Sequence, residues 1–231
     1  MKSLIIIPAR GGSKGIPGKN IKELAGKPLL NYTIELARKL AADEDICLST
    51  DDLDIVNVAE SCGLKVPFLR PANLATDYIG TYEVLLHALN FYEEQGHFYE
   101  KIILLQNTSP FRKKEQVEEA LRLYTPEIDM VVSVKEVTAN PYYNCFEEDG
   151  NGFLQISKGS GDFIRRQDVP KAYEYNGAIY IINPASLKEK TLGKFTKRVK
   201  YVMDEISSVD LDTMTDWMYA EFLIKEKLVE L

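Results

Sequence analysis

The residues best suited to chemistry lie near the two ends of the chain. Close to the start, Ala9-Arg10-Gly11-Gly12-Ser13-Lys14-Gly15-Ile16-Pro17-Gly18-Lys19-Asn20 combines four glycines with three cations. Glycine lets a backbone turn its N–H groups toward a bound group without a Cβ in the way. Arg10, Lys14 and Lys19 put positive charge at the same point. Amide donors, close backbone approach and cations are what a polyphosphate needs. Close to the end, Asp210 and Asp212 flank Leu211. In an extended segment the two carboxylates share one face, about 6 to 7 Å apart along the chain. Mg²⁺ is bound by one or two carboxylates together with substrate phosphates, so the pair suits that ion. Plainer readings stay open for both: a solvated basic turn for the loop, and an N-cap of the last helix for Asp212.

The loop is neither of the two best-known phosphate motifs. For a P-loop, Ser13 stands where the first glycine belongs, and Asn20 follows Lys19 in place of a hydroxyl. The dinucleotide pattern Gly-x-Gly-x-x-Gly fails because position 13 is Ser and position 9 is Ala. Two further groups could bind substrate. Gln106, Thr108 and Ser109 follow an apolar run and offer short polar groups, although Ser109-Pro110 is also ordinary turn chemistry. Arg165-Arg166-Gln167 is either an anion site or a solvated charged surface.

Composition narrows the class. The chain has 231 residues, 45% of them hydrophobic, and a net charge of -7, which fits one α/β domain or a domain with a lobe. An acidic balance argues against a nucleic-acid-binding role. Cys47, Cys62 and Cys145 are far apart and form no Cys-x-x-Cys pair, so neither a zinc site nor a disulfide framework is suggested. With His87 and His97 the only histidines, no Ser/His/Asp or Cys/His set is evident. The apolar run Leu4–Ile7 stops at Pro8, and no run reaches membrane-spanning length. The expectation is a cytoplasmic protein without a signal peptide.

The elements that must position these residues alternate. Strands are expected at Leu4–Ile7, Ile46–Thr50, within Leu64–Leu69, at Lys101–Gln106 and at Met130–Val134. Helices are expected at Leu29–Leu40, from Asp51-Asp52 to about Cys62, at Thr81–Glu94 and at Lys114–Tyr124. Such alternation implies βαβ units and a mostly parallel sheet. Ligands bind such sheets at the carboxyl ends of the strands. Loops 9–20, 70–77 and 106–112 all fall at that edge. From about Lys135 the rhythm breaks. Asp149-Gly150-Asn151-Gly152 is a hairpin signal, and a β-rich insertion to about residue 172 is expected. Strands at Tyr173–Asn183 and Val199–Met203 and a helix at Thr213–Lys227 complete the chain.

Taken together, the motifs go further. The loop Ile7–Asn20, Ser49-Thr50-Asp51, the stretch Arg70–Asp77 and Leu105-Gln106-Asn107-Thr108-Ser109-Pro110-Phe111-Arg112 resemble those of the CMP-sialic acid synthetases. So do Arg166-Gln167-Asp168, Tyr175-Asn176-Gly177-Ala178-Ile179-Tyr180 and Asp210-Leu211-Asp212, in order across nearly the whole chain. The resemblance implies a Rossmann-like α/β nucleotidyltransferase, with a core of residues 1–135 and 173–231 and a dimerisation insertion at 136–172. It implies that CTP and an acidic nine-carbon sugar, N-acetylneuraminate first among them, give a CMP-sugar and pyrophosphate. It implies that Arg10 and Lys19 hold the triphosphate, with Ala9, Ser13, Lys14 and Asn20 lining the same loop. Arg70 and Thr81 would sit near the cytosine, Thr81 standing for a common serine. Gln106, Thr108, Ser109 and Asn176 would face the sugar, and Arg165, Arg166 and Gln167 its carboxylate or glycerol-like tail. Asp210 and Asp212 would hold Mg²⁺, and a homodimer is expected. Related enzymes for legionaminate, pseudaminate or Kdo, and a non-catalytic nucleotide- or sugar-binding protein of the same fold, are the alternatives. Asn107 replaces a common proline and Phe111 a common leucine. Asn for Pro is expected to loosen that loop.

Overall fold

The computed structural model describes residues 2–76 and 78–229. Asp77, the last residue of the expected loop 70–77, lies outside them. The chain begins with β1 (Ser3–Pro8), in which Leu4 and Ile6 face one way and Ile5 and Ile7 the other, all fully buried. After the glycine-rich loop come a two-rung hairpin of β2 (Glu23–Leu24) and β3 (Lys27–Pro28), then α1 (Leu29–Arg38). Next are β4 (Ile46–Ser49) and α2 (Leu53–Ser61), the latter capped by the Asp52 carboxylate. Then follow α3 (Thr81–Glu94), β5 (Lys101–Leu104), α4 (Lys114–Arg122) and β6 (Met130–Glu136). A short hairpin of β7 (Phe146–Glu148) and β8 (Leu154–Ile156) precedes β9 (Tyr173–Ile182). The chain ends with α5 (Pro184–Glu189), β10 (Arg198–Val202) and α6 (Met214–Lys225).

One six-stranded sheet runs through the molecule in the order β10-β6-β9-β5-β1-β4. The pairs β1–β4, β1–β5 and β10–β6 are parallel, whereas β9 is antiparallel to both β5 and β6. Five strands therefore point their carboxyl ends to one edge. Apolar layers cover both faces, as a mostly parallel sheet requires. Ile5, Ile7, Ile34, Leu48, Ile55, Val117 and Ile181 pack one face under α1, α2 and α4. Leu4, Ile6, Leu85, Leu89, Leu104 and Ile182 pack the other under α3. A third cluster, around Trp217 of α6, joins Ile16, Leu29, Phe111 and Leu211.

Two expectations change. The strand expected within Leu64–Leu69 does not form; only Leu69 bridges, in parallel, to Thr50. Pro67 has no N–H to give to a ladder, and Leu69 is half exposed. The segment after β6 is less regular than β-rich. Its hairpin turn is held by the Asp149 carboxylate, which accepts from the N–H groups of Asn151 (2.9 Å) and Phe153 (3.0 Å). The rest of the segment is mostly turns.

The end of the sheet opposite the loops is braced by Asp129. Its carboxylate accepts from the backbone N–H groups of Thr196 (2.8 Å) and Lys197 (2.9 Å), from Ser186 Oγ (2.7 Å) and from Lys190 Nζ (2.9 Å). Burial alone would raise its pKa, but these donors outweigh that and hold it well below the usual carboxylate range. Asp129→Ala orphans four donors and is expected to cost about 3 kcal/mol at neutral pH. Because the folded pKa is depressed, the carboxylate's contribution is complete above the unfolded pKa of about 3.9 and is lost as pH falls below it. Urea unfolding of parent and variant at pH 7 and pH 3 measures this: the gap between them narrows at the lower pH.

Candidate active site

The loop after β1 lies where the sequence places it, at the carboxyl edge of the sheet. Its start is pinned when Ala9 N donates to Ser49 O (3.0 Å) and Gly11 N to Asp51 Oδ1 (3.2 Å). Asn20 closes the loop on itself, donating from Nδ2 to Arg10 O at 2.8 Å. A cleft of about 410 Å³ opens beside it, lined by Arg10, Ser13, Lys14, Lys19, Asn20, Thr108 and Asp212. The loop and the acidic segment, nearly the whole chain apart in sequence, thus share one wall. Lys19 is 8% exposed and spans the two, donating from Nζ to Leu211 O (2.6 Å) and Asp212 Oδ1 (3.0 Å). Gly15 makes the approach possible: a Cβ there would stand 2.1 Å from the Asp212 carbonyl oxygen.

The two carboxylates differ. Leu211 is fully buried and its N–H donates to Thr108 O at 2.9 Å, so the aspartates on either side project away from the core. The Asp212 side chain is 73% exposed. Asp210 is more enclosed. Burial raises its pKa, and Asp212 adds to that, against a hydrogen bond from Thr108 and the charge of Lys19. Its Oδ1 is buried without a hydrogen-bond partner. An unpartnered buried carboxylate oxygen beside a second carboxylate fits a hard cation that takes oxygen ligands. No cluster of three or more His, Cys, Asp or Glu that could hold a metal exists among the described residues, so substrate oxygens would have to complete the shell. Asp212 is not the helix cap: Thr213 caps α6, reciprocally with Asp216.

A second cavity, of about 230 Å³, continues from the first, sharing Pro8 and Arg10 and adding Arg70, Leu74, Ile79, Gly80 and Thr81. Arg70 is buried and held by Ser49, donating to its hydroxyl (3.0 Å) and its carbonyl. Burial lowers the Arg70 pKa, while the nearby Asp51 acts the other way. Thr81, the first residue of α3, also borders a third cavity of about 230 Å³ with Leu104, Gln106, Tyr175, Tyr180 and Arg198. Arg10 and Thr81 are therefore the shared walls of three adjoining spaces. The Tyr180 phenol is pushed up to about 12 by burial and the nearby Asp210.

The wall between Asp210 and Gln106 is glycine. Gly177 has φ +76°, and a Cβ would stand 2.7 Å from Gln106 Oε1 and 3.3 Å from Asp210 Oδ2. Its neighbour Asn176 is the brace for this turn. Ser133 Oγ donates to Asn176 Oδ1 (2.6 Å), and Asn176 Nδ2 donates to Ser208 Oγ (2.8 Å). β9 slips register against β6 between Val132 and Val134, so that Tyr180 and Tyr175 become their partners and the buried stretch between them bulges.

Several residues expected at the sugar, and Ala9 of the expected nucleotide loop, line none of these cavities. Asn176 is 4% exposed, and its amide is committed behind the cleft. Ser109 is fully buried with an unpartnered hydroxyl, beneath the loop and off the cavity walls. Ala9 is buried and serves through its backbone. Arg165, Arg166 and Gln167 stand exposed on the segment after the hairpin, lining none of the three cavities. Arg165 pairs there with Asp168 at 2.8 Å. Asn107 does not loosen its loop. It is 2% exposed and donates from Nδ2 to Asn20 Oδ1 at 2.9 Å, tying the loop after β5 to the loop after β1. Tyr175 and Tyr180, which the sequence marked only as the ends of a motif, and Arg198, which it did not single out, border the third cavity.

Known proteins resemble the chain in sequence and in fold. Residues 4–230 match the cytidylyltransferase family. The chain is 35% identical over 232 residues to CMP-N,N'-diacetyllegionaminic acid synthase of Legionella pneumophila, covering 100% of this chain and 97% of that protein. It is 36% identical over 239 residues to N-acylneuraminate cytidylyltransferase of Streptococcus agalactiae, covering 98% of this chain but 56% of that longer protein. In fold it is similar to CMP:2-keto-3-deoxy-manno-octonic acid synthetase complexed with CTP, with a TM-score of 0.70 at 18% identity over 98% of this chain and 100% of that one. A Rossmann-like nucleotidyltransferase sheet carries the site, and the chain belongs to the cytidylyltransferase family, that of the CMP-sialic acid synthetases.

Proposed function

We propose that the protein activates a nonulosonic acid with CTP, giving the CMP-sugar and pyrophosphate, with N-acetylneuraminate as the first acid. The observation that carries this reading is the run of three adjoining cavities, one lined by a basic loop and Asp212, one by a buried arginine, one by Gln106 and two tyrosines. They suit triphosphate, base and sugar acid in turn. The full-length likeness to a legionaminic acid synthase keeps legionaminate as a second reading.

In this reading the anomeric 2-hydroxyl attacks the α-phosphorus. The new O–P bond forms as the bond to the β-phosphate oxygen breaks, and pyrophosphate leaves with that electron pair. One of the two carboxylates takes the hydroxyl proton. Positioning and electrostatic stabilisation carry most of such phosphoryl chemistry. Arg10 and Lys19 stabilise charge on the leaving pyrophosphate. Asp210 and Asp212 would hold Mg²⁺, which when bound spreads phosphate charge and orients the oxygens. Arg70 and Thr81 are assigned to the base, and Gln106 and Thr108 to the acid. A homodimer formed through residues 136–172 belongs to the same reading, supported by Phe146, Phe153, Leu154 and Ile164, which that segment exposes. No described helix is long and apolar enough to cross a membrane.

Pyrophosphate release from CTP and Mg²⁺ tests the reading with N-acetylneuraminate, legionaminate, pseudaminate, Kdn and Kdo. Release with one nine-carbon acid names the substrate. CTP binding without release from any acid overturns the reaction and favours a binding protein of this fold.

A further inference from the structure

Arg112 braces the walls of the site from below. It follows the Gln106–Phe111 loop and is 5% exposed. Its Nη1 donates to two carbonyls of different elements, Gln106 O at 2.6 Å and Ala178 O at 3.0 Å. Its Nη2 donates to Thr33 Oγ1 of α1 at 2.8 Å. No carboxylate lies within ion-pair distance of it among the described residues, although the charge of the nearby Asp210 favours its charged form against burial, and its Nε is buried without a partner. A buried guanidinium without an ion pair is costly, and hydrogen bonds to neutral acceptors return only part of that cost. Stability alone does not account for an arginine here.

Its two carbonyl partners do. Gln106 and Ala178 bracket the point where the Gln106 amide and the Asp210 carboxylate converge on Gly177. One NH₂ group therefore sets the spacing between the peptide unit that carries Gln106 and the turn of β9 that makes room for it. Neither Arg10, Lys19 nor Arg70 is among its partners. We propose that Arg112 is a positioning residue for the sugar-acid side of the site, holding Gln106 in register with the Gly177 turn without contacting substrate. The proposal rests on the reading above, in which Gln106 meets the acid.

The test compares Arg112→Met and Arg112→Lys with the parent enzyme by thermal unfolding and by steady-state pyrophosphate release, varying CTP and the acid separately. The methionine variant leaves two carbonyls and a hydroxyl without their donor and is expected to lose a few degrees of melting temperature while remaining folded. Its kcat falls about 100-fold and its KM for the acid rises about 10-fold, whereas its KM for CTP stays within about twofold. Lysine restores the charge but not the fork, and recovers less than about a tenth of the lost kcat. Parent-like kinetics in Arg112→Met overturn the proposal. So does an equal rise in both KM values, which marks a general loss of structure. If Arg112→Met does not fold, the same split in Arg112→Lys decides. A parent that releases no pyrophosphate from any acid overturns the reaction instead. The Arg112 proposal is then decided by acid-induced thermal shifts, which Arg112→Met must weaken and which, if absent or unchanged, overturn it.

Discussion

Asp212→Asn is expected to lower kcat by about 100-fold or more while leaving the affinity for CTP within about threefold. Two effects oppose one another in binding. The substitution removes a carboxylate suited to a cation, which weakens the hold on phosphates. It also removes the charge of the partner that engages Lys19 Nζ at 3.0 Å, leaving that ammonium freer to meet the nucleotide. The two nearly cancel in the ground state. They do not cancel in the transition state, where charge develops on the departing pyrophosphate and a Mg²⁺ held by Asp212 would offset it. The side chain is 73% exposed, so the fold is not at risk and the variant reports on chemistry. Pyrophosphate release at saturating CTP, with CTP binding measured by calorimetry, separates the two quantities. A kcat equal to that of the parent removes Asp212 from the reaction.

Lys19→Met is the second large effect. Methionine keeps most of the buried stem volume, so packing changes little. What goes is the ammonium that donates to Leu211 O and Asp212 Oδ1 and stands in the wall of the phosphate cleft. Ground-state and transition-state contacts are both lost. A fall in kcat/KM of about 1000-fold is expected, corresponding to about 4 kcal/mol of transition-state stabilisation. Arginine is no remedy, because a fork does not fit a buried site that holds a compact ammonium against a carbonyl and a carboxylate. The measurement is kcat/KM for CTP at saturating acid. A loss under about tenfold removes Lys19 from the triphosphate.

The sequence carries most of the architecture because its signals are local. α3 runs from Thr81 to Glu94, as its apolar spacing and Gly96 indicate. The strands at Met130 and Lys101 are runs of buried apolar residues, and the edge where their loops gather follows from alternation with helices. The strand expected near Leu64 fails for a reason equally local, a proline in its middle, which deserved more weight than the flanking Leu64 and Val66. What is not local stays hidden. Nothing in Tyr173–Ile182 says that it pairs antiparallel with two strands far upstream.

The site divides in the same way. Arg10, Lys19, Asp210 and Asp212 stand out because charge near glycine, or charge repeated across one residue, is visible in a string of letters. Asn176 and Ser109 do not reveal that they are buried, since a polar residue in a turn looks the same whether it faces a ligand or Ser133. Asn107 shows that a departure from a family pattern has no sign of its own: flexibility is the expectation from losing a proline, and a buried hydrogen bond to Asn20 is the result. Arg112 stands in the sequence only as the end of a motif until the structure places it under the loop.

The position of β9 has a consequence for how the molecule is made. It is the strand that joins β10-β6 to β5-β1-β4, yet it is nearly the last strand in the chain. While the polypeptide emerges from the ribosome, β1, β4 and β5 can assemble, but β6 has no neighbour until Ile182 has cleared the exit tunnel. Until then β5 and β6 present open strand edges rich in isoleucine and valine, the kind of surface that pairs with the wrong chain. The nascent protein thus passes through a stage of one three-stranded sheet and a lone β6. The step that joins them belongs at the arrival of residues 173–182, and the same step brings Tyr175 and Tyr180 to the third cavity.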